Sequence, residues 1–274
     1  MQSLQQSNSV EGEAMDAPTN PTKKQNKKKR RHGRSPHPPQ KGSSFGGAAA
    51  LAKKYPFPTD FCDHFETPKR AYEDVAPVLA ALTAKTRSEM RLYDPYYCAG
   101  AAKRHLQDLG FSSLKNDKLD FYASDAYQNP SRCTHDILVT NPPFSDDHKE
   151  RCLRWALATK KPFALLLPAY VVDRRWFREA CGDARPFFVA PSESYGFDHP
   201  LGVGAAASPF FSVWVVDSGN GSTATAAVRA SLGGTNVLAD VDALRRAGHV
   251  RTEAKRPSSK KRRKLKARRA GGAG

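Results

Sequence analysis

Long apolar runs are missing from this sequence. Nowhere do about 18 or more apolar residues follow one another, and a membrane-spanning helix needs such a run. Cysteine is scarce as well. The five cysteines, at 62, 98, 133, 152 and 181, are odd in number and widely spaced, and no CxxC pair occurs. A disulfide scaffold or a zinc finger needs closely set pairs, so both fall away, and reduced thiols in a cytosolic or nuclear compartment are expected. The first residues (MQSLQQSNSVEGEAMDAPTNP) hold three acids and no apolar block, which resembles neither a secretory signal nor an Arg-rich transit peptide.

Positive charge is abundant and unevenly placed. The 274 residues hold 44 Lys+Arg against 27 Asp+Glu, a formal net charge of +17. Residues 1–54 carry 11 basic and 3 acidic residues, a net of +8. Residues 251–274 carry 11 and 1, a net of +10, which leaves 22 basic and 23 acidic residues over 55–250. This is a near-neutral body between two basic arms. The body is the size of one domain with a proper core. The arms, PTKKQNKKKRRHGRSPHPPQKGSS at 21–44 and KRPSSKKRRKLKARR at 255–269, are rich in charge, Pro and Gly and have no apolar period. They cannot bury enough apolar surface to offset the entropy of ordering and are expected to be disordered. Such Lys/Arg clusters favour nucleic acid through counterion release and also read as nuclear or nucleolar address signals. Within 218–250, the Gly-, Ser- and Thr-rich stretch 218–235 reads as a flexible linker. Val237, Leu238, Val241 and Leu244 then give the spacing of one short helix.

The part of the body at 55–217 alternates strand and helix patterns. Thr67-Pro68 predicts a helix start with Thr67 as cap, and Pro77 predicts a kink. Strands are expected at 91–94, 113–115, 135–140, 163–167, 187–190 and 210–216, and helices at 100–109, 146–158 and 174–181. The central strands are apolar on both faces, which predicts an α/β fold with a mostly parallel sheet between two layers of helices. In such folds ligands bind beyond the carboxyl ends of the strands, where Asp94 and Asn141 fall.

The most informative stretch is Leu138-Val139-Thr140-Asn141-Pro142-Pro143-Phe144. An apolar strand ends there in an amide, two prolines without N–H groups and an aromatic ring. The amide and proline carbonyls suit a substrate amine donating two hydrogen bonds, and Phe144 offers a flat face for stacking. The segment resembles the NPPF/NPPY motif of class I S-adenosylmethionine-dependent amino-methyltransferases, which act on adenine N6, guanine N2 or a glutamine amide. That resemblance extends over about residues 61–217. It implies a Rossmann-like seven-stranded sheet, with Asn141, Pro142, Pro143 and Phe144 around the target amine and S-adenosyl-L-methionine as cofactor. Asp94-Pro95-Tyr96-Tyr97-Cys98-Ala99-Gly100 resembles the family's Asp-Pro-x-x-Gly-x-Gly cofactor loop, with Cys98 in place of its first Gly. By the same resemblance Thr67, Asp94, Tyr96, Gly100 and Asp125 are cofactor-side residues, and the ribose acid is Asp117 or Asp120. Tyr195 and Phe197 fall where the family places target contacts. Asp146-Asp147-His148 reads as the charged first turn of a helix, so no metal is expected.

The function these features predict is methyl transfer to an exocyclic amine of a nucleic-acid base, most simply adenine N6 in RNA, with ribosomal RNA the first candidate. DNA adenine, guanine N2 or a protein glutamine are alternative targets. A catalytically silent RNA-binding assembly factor is the alternative outside enzymes. RNA, favoured over DNA, is the expected partner through the arms, in the nucleus or nucleolus and away from membranes. On an activator subunit the sequence is silent.

Overall fold

In a strand, successive side chains point to opposite faces, so a strand apolar at every position must be covered on both sides. The computed structural model, which describes Tyr55 and residues 63–199, 210–234 and 236–250, is built on that rule. Its strands are β1 (Arg91–Tyr93), β2 (Ser113–Lys115), β3 (Ile137–Thr140), β4 (Phe163–Pro168), β5 (Phe187–Val189), β6 (Ser212–Asp217) and β7 (Val237–Leu238). The helices are α1 (Lys69–Ala81), α2 (Ala101–Asp108), α3 (Asp125–Gln128), α4 (His148–Thr159), α5 (Arg175–Cys181), α6 (Ser222–Ser231) and α7 (Val241–Arg246). The strands form one sheet in the order β2-β1-β3-β4-β6-β5-β7. Strands β1 to β4 pair in parallel, β6 runs antiparallel to both β4 and β5, and β7 runs antiparallel to β5. Five strands therefore point one way and two the other, a mixed and mostly parallel sheet.

The alternation sorts the core into two layers. Leu92, Ile137, Val139, Ala164, Leu166, Phe187, Val189, Trp214 and Val216 face α1 and α2, with Val228 and Leu232 from the α6 end of the chain packed against them. Tyr93, Leu138, Phe163, Leu165, Leu167, Phe188, Val213 and Val215 face α4, α5 and α7. Each fully buried Leu, Val or Phe contributes roughly 1.5–3 kcal/mol of transfer free energy, so this double face is the main source of stability. Among the described residues no helix is long and apolar enough to cross a membrane.

Four local expectations need correction. The helix start moves by one residue: Pro68 is the cap residue and Thr67, with no capping bond, is buried. Pro77 does not divide α1, which runs through it. It lies on the exposed face with Glu73, whose carbonyl loses its i+4 partner where water can replace it. The stretch read as a flexible linker holds helix α6. Ser218, Gly219 and Thr225 are held by local bonds before and within it: Ser218 N donates to Thr225 Oγ1 at 3.1 Å, and Gly219 N donates to the Asp217 carboxylate at 2.7 Å. A Cβ on Gly219 would sit 2.4 Å from the Lys161 backbone, so this glycine permits a close approach. Finally, Val237 and Leu238 pair with β5 as an edge strand, and the following helix starts only at Val241, capped by Asp240. The basic arms expected to be disordered lie outside the described residues.

Candidate functional site

Because β1 to β4 are parallel, their carboxyl ends share one edge of the sheet. The chain steps from β1 to β2 on one side and returns to β3 on the other, so the order reverses between β1 and β3. A crevice opens at such a reversal, since the connections leave in opposite directions. An open cleft of about 960 Å³, mouth included, lies there. Its walls come from Tyr55 with residues 63–67, Tyr72 of α1, the turn after β1 (94–98) with Ala101 and Ala102 of α2, the residues after β2 (119–122), and Asn141, Pro143 and His148 after β3.

Asp94 forms the floor. It is buried, accepts the Thr140 hydroxyl at 2.5 Å and the Tyr96 N–H at 3.1 Å, and its carbonyl accepts Asn116 Nδ2 at 3.0 Å. Burial pushes its carboxyl up to about 7, against the opposing pull of those hydrogen bonds. The turn above it is tightly held. Cys98 has φ 47 and Gly100 φ 86, both in the left-handed region. The Cys98 thiol donates to the His64 carbonyl at 3.0 Å, and the Tyr55 hydroxyl donates to the Cys98 carbonyl. Glu66 accepts the first N–H of α2, from Ala101, at 3.1 Å, so a carboxylate already sits at that helix N-terminus.

Asn141 follows directly on β3, and its Oδ1 is buried with no hydrogen-bond partner. Unmet acceptors of this kind are rare because each costs about 1–3 kcal/mol. The loop that carries Asn141 is pinned from below: Lys149, buried in α4, donates Nζ to the Phe144 and Ser145 carbonyls. Desolvation lowers the pKa of that ammonium group. Ser145 in turn donates its N–H and hydroxyl to Asp63. On the opposite wall the Tyr96 and Tyr122 hydroxyls are 3.0 Å apart, and Tyr122 Oη is 2.6 Å from His148 Nδ1. The Arg151 guanidinium lies over the Tyr122 ring at 3.7 Å. Burial holds both phenols far above their ordinary pKa, so they stay neutral.

Of the residues singled out from sequence, Thr67, Asp94, Tyr96, Asn141 and Pro143 line this cleft together. Gly100 borders it as the cap of α2, and Pro142 is buried behind Pro143. Between the two candidate acids, Asp120 lines the cleft and caps the following turn through Tyr122 N at 2.9 Å, whereas Asp117 is exposed outside the wall. Asp125 is also exposed and outside, its carboxylate accepting Asn129 Nδ2 at 2.6 Å within its own helix. Tyr195 and Phe197 are corrected to core residues: they are 2% and 6% exposed, and Tyr195 donates its hydroxyl to Asp74 at 2.7 Å. Neither ring has a face free for stacking. Phe144 is half-buried against Phe197 and outside the cleft wall.

Sequence reasoning missed Tyr55, Asp63, Tyr122, His148 and Lys149. A lone polar residue far along the chain carries no local sign of where it will fold. Only His148, four residues past Phe144, had a positional hint. Among the described residues no group of three or more His, Cys, Asp or Glu is placed to hold a metal ion.

Fold and cleft together define an α/β protein with a ligand-sized crevice at a strand-order reversal. No family model matches the chain, and no curated protein matches its sequence.

Proposed function

We propose that this chain is an S-adenosyl-L-methionine-dependent N-methyltransferase acting on an exocyclic amine of a nucleic-acid base, adenine N6 in RNA first and ribosomal RNA within that class. The observation that carries this is the buried, unpartnered Oδ1 of Asn141, aligned by a strand end and sharing a cleft with a buried carboxyl group. An amine N–H is the missing donor it fits. The resemblance of Asn141 to Phe144 and of Asp94 to Gly100 to the methyltransferase motifs supports the same assignment. So does the mixed sheet with its reversal beside β1, on a Rossmann-like reading.

The residues present fit the cofactor. Four carboxyl groups, Asp63, Glu66, Asp94 and Asp120, line the cleft and suit a cationic ligand, while Tyr72, Tyr96, Phe121 and Tyr122 supply apolar and aromatic wall. Cys98 adopts the left-handed backbone for which glycine is favoured, so its side chain does not alter the course of the turn. When bound, S-adenosyl-L-methionine supplies a methyl group on an already activated sulfonium. Asn141 Oδ1 and the adjoining Pro142 carbonyl hold the two amine hydrogens, which aims the nitrogen lone pair along one line. Lys149 and Asp63 keep the loop from drifting. The amine nitrogen would bond to the methyl carbon as the carbon–sulfur bond breaks to leave a neutral thioether. The surplus proton of the resulting arylammonium, a strong acid, would pass to water, so no dedicated base is required. Catalysis is then mainly alignment, of a base taken out of its helix. The arms, with nets of +8 and +10, bring polyanion and enzyme together and address the chain to the nucleus or nucleolus.

The test is to mix the purified full chain with labelled cofactor and total RNA, DNA or protein, then hydrolyse the product to nucleosides. N6-methyladenine from RNA is expected. Label found only in protein overturns the substrate class, and absence of cofactor binding by calorimetry overturns the enzyme.

A further inference from the structure

A row of aromatic rings leads away from the end of the Asn141 loop. Phe144 meets Phe210 edge-on at 6.0 Å between ring centres, and Phe210 meets Tyr170 edge-on at 5.7 Å. The Arg174 guanidinium lies over the Tyr170 ring at 5.2 Å. Tyr170 and Arg174 belong to the turn after β4, the strand next to β3, so the row runs along the same carboxyl edge as the cleft. Phe144, Phe210 and Tyr170 are half-buried and Arg174 is exposed. Arg174 makes no ion pair among the described residues, unlike its neighbour Arg175, which bonds Glu179 at 2.6 Å.

We infer that this row is the track for the nucleotide adjoining the target: its base stacks on the Tyr170–Arg174 pair and its phosphate is held by Arg174. A flat, half-covered ring gives any base a surface, and guanidinium planes stack bases as well. An exposed cation with no carboxylate partner complements a phosphate. A protein glutamine would need neither group. The inference rests on the proposed function and deepens it, since it makes the substrate a single strand rather than a side-chain amide.

The experiment is fluorescence anisotropy with the full chain and a short labelled single-stranded RNA carrying one adenine in a uridine tract. Binding is measured over a salt series that starts high enough to weaken the contribution of the arms. Tyr170→Ala and Arg174→Ala are each expected to weaken binding about tenfold, and Arg174→Ala to lower the log–log salt slope by about 0.7, as for one phosphate on a single strand. Tyr170→Leu keeps the apolar packing on Phe210 while removing the flat ring, and should lose the same affinity; Tyr170→Phe should bind like the parent. Tyr170→Leu and Arg174→Ala both binding as tightly as the parent would overturn the track. Methyl transfer is measured on the same samples. Parental binding in the variants alongside RNA methylation removes the track and leaves the enzyme standing. RNA left unmethylated by the parent removes the enzyme, while the binding data still decide the track.

Discussion

The β4–β6 ladder and the β1–β3 edge belong to one sheet but are built from opposite materials. β4 and β6 align six residue pairs, from Phe163 with Asp217 to Pro168 with Ser212, and every one of those residues is buried. β1 and β3 align only two pairs, then give way to Asp94, Thr140 and Asn141. The first region keeps its polar exceptions at the ends of the ladder, Ser212, whose hydroxyl is buried without a partner, and Asp217, whose carboxylate accepts from Gly219 N and Thr225. The second keeps a carboxyl group out of water and an amide oxygen without a partner. Stability is concentrated in one half of the sheet, and the capacity to bind in the other, where unmet polar groups are a standing cost.

Four substitutions would break or sharpen that contrast. Trp214, fully buried on β6 with Nε1 donating to the Ala71 carbonyl at 2.9 Å, anchors α1 to the sheet. Trp214→Ala is expected to cost about 3–5 kcal/mol in urea unfolding. A loss below about 1 kcal/mol would show that the ladder is not where stability lies.

Asp94→Asn should act in the other direction, and with pH. A carboxyl raised from 3.8 to about 7 in the folded state adds stability that is full below pH 3.8 and lost as pH rises through 7. At about 1.4 kcal/mol per unit the loss is on the order of 4 kcal/mol at most. The variant should therefore match the parent in acid and exceed it at pH 8. Buried His135, lowered from 6.5 to about 4, works oppositely over part of this range, gaining stability as pH rises. The difference between variant and parent, measured by urea midpoints from pH 4 to 8, is thus the proper quantity. A flat difference would remove the buried charge from the account.

Asn141→Ala is expected to slow methyl transfer at least a hundredfold, about 2.7 kcal/mol, through lost alignment. It should move stability by less than about 1 kcal/mol, because the deleted acceptor had no partner. Parental turnover would refute its role. Lys149→Met leaves the Phe144 and Ser145 carbonyls without their donor. It should cost about 1–3 kcal/mol and lower kcat severalfold, with cofactor affinity by calorimetry unchanged. If cofactor affinity falls in step with kcat, Lys149 is supporting the whole cleft rather than the target loop.

Much of the fold was legible. Ile137 to Thr140, Phe163 to Leu167 and Ser212 to Val216 announce strands because apolar residues without turn formers leave little else to build. What composition misjudged was 218–235, where Gly, Ser and Thr were counted as freedom although Ser218, Gly219 and Thr225 are held by named bonds, Ser218 to Thr225 and Gly219 to Asp217. The cleft was half legible. Asp94 and Asn141 stood out because polar residues at the ends of apolar strands lie where parallel sheets open. Tyr195 and Phe197 misled because an aromatic residue in a loop reads the same whether its ring turns inward or out.

By itself the sequence determined most strand and helix positions between β1 and β6, the near-neutral body between its charged arms, and the chemical character of the Asn141 loop. All follow from periodicity, charge and side-chain chemistry within a few residues. Only the tertiary structure decided that β6 and β7 run against the others. It alone brought Asp63 and Lys149 to the loop from opposite sides, put Asp120 rather than Asp117 on the cleft wall, and lined up Phe144, Phe210 and Tyr170. Those facts depend on which distant segments share a surface, and burial of apolar faces sets that for the chain as a whole.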